Sequence, residues 1–140
     1  SDVYKRQSLP DYNRLIASVS GTMRLAHGAN GSEKLVLPRS TVYAFDGGIQ
    51  THCVGKARDL NLMLRKGAAE GELVFVDSGT ELDLEPAANE TMLLFELESG
   101  NAALCAGGNA RLRCTANGQC ALFTVRLVGE AIPDSDNRNG

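Results

Sequence analysis

Apolar residues along this 140-residue chain recur with a period of two rather than 3.6, which predicts half-buried strands instead of amphipathic helices. Short apolar segments run from Arg14 to Ser20, Gly21 to Ala26, Glu33 to Leu37, Thr41 to Phe45, Asp59 to Arg65, Glu72 to Val76, Met92 to Glu98, Ala102 to Cys105, Ala110 to Cys114 and Ala121 to Leu127. Between them sit Gly28, Gly31, Gly47-Gly48, Gly79, Gly100, Gly107-Gly108 and Asn117-Gly118, residue types suited to turns with positive φ. About ten short strands with no long helix imply an all-β fold: a sandwich, jelly roll or barrel. The polar stretch 133–140 reads as a frayed tail.

A long-offset repeat narrows the architecture. Placing Arg14 to Gly28 beside Leu93 to Gly107 aligns Leu15 with Leu94, Ser20-Gly21 with Ser99-Gly100, Leu25 with Leu104 and Gly28 with Gly107. One residue of slip later, Ala44-Phe45 matches Leu122-Phe123. Each half reads strand, Ser-Gly turn, strand, glycine turn, strand, polar turn, strand. That is the pattern of a cupin half-barrel, and it predicts a cupin-like (bicupin, RmlC-like jelly-roll) β-barrel or sandwich with two related halves.

Composition removes several function classes. A net charge of −3 without any run of lysine or arginine lacks the footprint of a nucleic-acid binder. No apolar run approaches the roughly 18 residues of a spanning helix, and no signal-peptide pattern opens the chain, so no membrane partner is expected. Cys53, Cys105, Cys114 and Cys120 lack paired Cys-x-x-Cys spacing; they read as free thiols of a cytoplasmic protein rather than zinc ligands. Only His27 and His52 are present, without the His-x-His spacing of a metal-dependent cupin site, and His27 is expected in a glycine-rich turn. No metal or cofactor is expected. Neither a nucleophile elbow nor a phosphate loop occurs, and no catalytic residue is assigned.

The first seven residues stand apart. Asp2 to Gln7, Asp-Val-Tyr-Lys-Arg-Gln, is what the codons GAT GTG TAT AAG AGA CAG give, and this resembles a transposase end used in sequencing libraries. Residues 1–7 are expected to be a translated adapter, or else a short polar tail, and fold reasoning sets them aside. The domain is then expected over residues 8–132.

The segment from Tyr43 to Gly67 is the most specific part of the chain. Phe45-Asp46-Gly47-Gly48 and Arg58-Asp-Leu-Asn-Leu-Met-Leu-Arg65 resemble the HutD/Ves family of cupin-like proteins, and Leu9-Pro-Asp-Tyr-Asn-Arg-Leu-Ile is similar to the family's run before its first long strand. Asp11 and Asn13 depart from the usual Gly and Asp, and Leu60 stands where the family often has an aromatic residue. Members usually begin with a further segment containing a Trp-Lys-Asn-Gly-Gly-Gly-type motif. The resemblance therefore implies a bacterial, N-terminally truncated fragment, and its open barrel edge is expected to mediate homodimerisation.

Strand parity places Leu60, Leu62 and Leu64 on one face and Asp59, Asn61, Met63 and Arg65 on the other. The leucines are expected to pack in the core, with the polar face toward a pocket, solvent or the missing segment. Asp59 and Asn61 either bind a small polar ligand or fix a neighbouring backbone. Arg14 either pairs bidentately with a ligand carboxylate or pairs with Asp59. The resemblance implies an accessory or regulatory role around histidine utilisation, with formylglutamate, formate or a related small carboxylate as ligand. Arg14, Asp59, Asn61, Arg65 and His52 are the candidate ligand-binding residues. The alternative is a small-molecule cupin enzyme without a His-rich metal site, using His52 or Asp59 as acid–base group.

Overall fold

The computed structural model describes the backbone of residues 3–6 and, in full, residues 8–55 and 57–129. Thirteen strands occur among the described residues: β1 Val3–Arg6, β2 Tyr12–Ser20, β3 Met23–His27, β4 Glu33–Leu37, β5 Val42–Asp46, β6 Thr51–Val54, β7 Arg58–Arg65, β8 Ala69–Val76, β9 Glu81–Leu84, β10 Glu90–Glu96, β11 Ala102–Ala106, β12 Leu112–Thr115 and β13 Cys120–Leu127. There is no α-helix among the described residues, so the all-β expectation holds. All ten expected segments are strands. The three additional ones, β1, β6 and β9, are only four residues long, and β6 and β9 are too short for their alternation to register against the flanking turns. Val3–Arg6 pairs antiparallel with β6. Strand addition needs only backbone amides and carbonyls, so a segment of any origin can extend a sheet edge. The tail expected at 133–140 lies outside the described residues.

The chain divides into two compact units, Ser1–Arg65 and Lys66–Gly140. The first holds two open sheets, ordered β1-β6-β3-β4 and β5-β2-β7. Ile16 and Phe45 from one sheet meet Met23, Leu25, Leu37 and Cys53 from the other in a single apolar cluster, each no more than 8 % exposed. In β2 the register to β7 shifts between Ser18 and Ser20, a β-bulge, and the buried Ser18 hydroxyl donates to the Gly21 carbonyl at 2.6 Å.

The Phe45-Asp46-Gly47-Gly48 motif has a backbone explanation. Asp46 Oδ1 accepts the Gly48 N–H at 2.7 Å, an Asx turn that reverses the chain after β5. Gly47 donates to the Tyr12 carbonyl and accepts from the Leu9 N–H. A Cβ at Gly47 would come within 2.5 Å of the Leu9 oxygen and 2.6 Å of the Tyr12 oxygen, so only glycine lets the strands approach.

In the second unit the sheets are ordered β11-β10-β13-β8 and β12-β9. Leu94, Ala116 and Cys120 form its core cluster, with Val76, Leu82, Cys114 and Leu122 packed against it. The pairings of the two units correspond in part. Leu15 pairs with Ala44 as Leu94 pairs with Leu122, matching the aligned repeat, and Gly21 and Gly100 share a φ of 78°. Side-chain direction differs. Leu25 is 2 % exposed whereas its aligned counterpart Leu104 is 69 % exposed, so the repeat aligns an inward position with an outward one.

Candidate functional site

Cross-strand partners project to the same face of a sheet. Arg14 is paired with Phe45 on one side and Met63 on the other; Ile16 is paired with Tyr43 and Asn61; Ser18 with Asp59; Tyr12 with Arg65. One face of the β5-β2-β7 sheet therefore carries Arg14, Asp59, Asn61 and Arg65 together: parity groups the three β7 residues, and the β2–β7 register adds Arg14. That face is divided between the interior and solvent. Ile16 and Phe45, on the same side as Arg14 and Asn61, belong to the unit's core cluster, so the polar face looks inward. The leucine face is covered as well, with Leu64 at 7 % and Ala17 at 0 % exposure. Because β7 is the last strand of its sheet, Asn61, Met63 and Arg65 are nonetheless exposed, at the rim of the interior.

Arg14 is buried, at 5 % exposure, with its guanidinium carbon 5.4 Å from the centroid of Phe45. A cation over an aromatic face at that distance is favourable. Arg65 repeats the arrangement at the surface: it lies 5.3 Å from the Tyr12 ring and donates to the Tyr12 hydroxyl at 3.2 Å.

Around Phe45 the interior is polar. His27 ends β3 at 3 % exposure, on the inward side with Met23 and Leu25, and not in the glycine-rich turn expected for it. The alternation Met23, Leu25, His27 continues one residue past Ala26, and that continuation is the signal in the sequence that would have placed it. Its Nδ1 lies 2.9 Å from Thr51 Oγ1 and its Nε2 lies 2.8 Å from the Tyr43 hydroxyl. The His27 and Tyr43 rings lie 5.1 and 5.5 Å from Phe45, the latter stacked. Burial, and secondarily the negative charge of Glu33, push the Tyr43 hydroxyl's pKa up.

His52 is placed elsewhere. In β6, Thr51 and Cys53 are buried while His52 alternates to the opposite face, away from Arg14. It is half-buried, and its Nδ1 has no hydrogen-bond partner among the described residues. The four cysteines are free, and among the described residues no group of three or more His, Cys, Asp or Glu is arranged to hold a metal ion.

Two partly corresponding β units, open sheets and a polar interior in the first unit define a cupin-like protein. The chain belongs to the HutD family, whose model matches residues 7–127. Its fold is similar to a structure of HutD from Pseudomonas fluorescens SBW25, described as a formate condition, with a TM-score of 0.71 at 23 % identity over 91 % of this chain and 75 % of that one. It is also similar to a conserved protein of unknown function from Pseudomonas aeruginosa PAO1, with a TM-score of 0.68 at 27 % identity over 90 % of this chain and 75 % of that one. No curated protein matches the chain. No helix among the described residues is long and apolar enough to cross a membrane.

Proposed function

We propose that this HutD-family protein is a cytoplasmic accessory or regulatory protein of histidine utilisation that holds a small carboxylate, formate or formylglutamate, at the inward face of its first unit. The observation that carries this reading is Arg14: a guanidinium at 5 % exposure, 5.4 Å over the Phe45 ring, on the face that also bears Asp59 and Asn61. A guanidinium matches a carboxylate through paired N–H donors, and burial strengthens such a pair relative to water. Asn61 and Arg65 stand at the exposed rim, where a second polar group of the ligand would be met. The formate condition of the P. fluorescens structure supports the choice of ligand. Homodimerisation through the open edge of β7 is part of the same proposal.

A second reading, a small-molecule enzyme, is favoured by one specific observation. His27 is hydrogen-bonded on both ring nitrogens, and a tyrosine hydroxyl so placed can relay a proton.

Isothermal titration of the full chain with formate and with N-formylglutamate separates these readings. Binding is expected for the wild-type protein, with loss in Arg14→Ala and at least about tenfold weakening in Arg14→Lys, which keeps charge but not the bidentate fork. Absence of binding to both compounds overturns the first reading, and turnover of formylglutamate or urocanate establishes the second.

A further inference from the structure

The β6-β3-β4 sheet has an outer face that the interior site leaves unused. Its register sets two rows across three strands: Val54, Arg24 and Val36 in one, His52, Ala26 and Lys34 in the other. A cleft of 290 Å³ opens there, lined by Arg24, Lys34, Ala26, Val36 and Val54 among others, and no carboxylate lines it.

The charge pattern is the unusual part. In a chain of net charge −3 this face carries two cations and an imidazole, and among the described residues neither Arg24 nor Lys34 is in an ion pair. Arg24 and Lys34 are diagonal neighbours, with Cα atoms about 7–8 Å apart, a spacing that lets both reach one carboxylate. Between and beside them lie Ala26, Val54 and Val36, the last 58 % exposed. An exposed valine beside unpaired cations is served best by a ligand that covers the valine and neutralises the cations together.

We propose that this outer cleft is a second binding site, for a small monocarboxylate with an apolar body, its head between Arg24 and Lys34 and its body over Ala26, Val36 and Val54. A second charge on the ligand's body would have to be desolvated over valine. A bare anion such as acetate leaves the apolar floor wet.

The test is a ¹H–¹⁵N NMR titration of the full chain with hexanoate, with acetate and hexanol in parallel. Hexanoate is expected to shift the amides of Arg24, Ala26, Lys34, Val36 and Val54 saturably, with a dissociation constant on the order of 1 mM. Acetate and hexanol should each be at least about fivefold weaker. The double reversal R24E/K34E should weaken hexanoate by about tenfold or more, and R24Q/K34Q serves if the reversal does not fold. Equal shifts from acetate, or shifts from anionic vesicles or an acidic peptide but not from hexanoate, overturn the proposal. Shifts confined to Arg14, Tyr43 and Phe45 and unchanged in R24E/K34E also overturn it while leaving the interior site standing. Loss of formate binding alone touches only the interior site.

Discussion

His27 Nε2 lies 2.8 Å from the Tyr43 hydroxyl, and the direction of that hydrogen bond follows from its neighbours. Thr51 Oγ1 donates its single proton to the Ile49 carbonyl at 3.0 Å, so toward His27 it can only accept. His27 Nδ1 therefore carries a proton. In the neutral ring Nε2 is then the acceptor, and Tyr43, whose hydroxyl is held protonated by burial, is the donor. A directed chain runs from Tyr43 through His27 and Thr51 to the backbone.

This chain predicts the neutral ring as the Nδ1-protonated tautomer, read by ¹⁵N NMR as a pyrrole-type Nδ1 and a pyridine-type Nε2. The opposite tautomer contradicts it. Replacing His27 with alanine removes the acceptor of the Tyr43 hydroxyl and opens a buried space, for a loss of about 2–4 kcal/mol in urea unfolding. A loss below about 0.5 kcal/mol would place His27 outside the packed interior.

Leu25 and Leu104 give a second prediction. Leu25→Ala removes a side chain at 2 % exposure and should cost about 2–5 kcal/mol, whereas Leu104→Ala, at 69 % exposure, should change stability by less than about 0.5 kcal/mol. Comparable losses in chemical denaturation would mean that the repeat is equivalent side chain by side chain.

The contrast between these leucines marks what the sequence carries. Period-two alternation places strands and states which residues of one strand share a face, as Asp59, Asn61 and Arg65 do; the inter-strand register that adds Arg14 to them is not in it. It does not state which face turns inward when both are apolar enough to be covered, as with Leu64 on one side and Ile16 on the other. His52 and Thr51 were illegible for a different reason. Their strand is four residues long, and its alternation is lost beside the turns that bound it. His27 was one residue beyond a boundary drawn at Ala26, and a single residue decides between turn and core.

Gly47 tests the motif at β5. Its Cβ would meet two backbone oxygens, which cannot rotate away, so Gly47→Ala should destabilise by about 1–3 kcal/mol. Gly100→Ala meets nothing within 4 Å and carries only the strain of its φ of 78°, about 1 kcal/mol. Thermal melting should rank Gly47→Ala below Gly100→Ala, and the reverse order would contradict the close approach.

Glu90 makes stability depend on acid pH. Its carboxylate accepts the Ala87 N–H at 2.9 Å and the Arg126 Nε–H at 3.1 Å, joining β10 to β13. The Ala87 bond first, and the Arg126 bond after it, hold its pKa below the ordinary glutamate value. A depressed folded-state pKa contributes stability that is present above the unfolded value, about 4.3, and is lost as pH falls through the folded one. Glu90→Gln should therefore melt at a lower temperature than the wild type at pH 7 and show a shallower decline toward acid, the two profiles converging as pH falls through the depressed folded-state value. Asp83, bonded to Arg111 at 2.7 and 2.8 Å and likewise depressed, remains in both proteins and accounts for acid sensitivity that survives the substitution. Melting profiles from pH 2 to 7 that stay parallel would show that the Glu90 carboxylate gains nothing from these partners on folding.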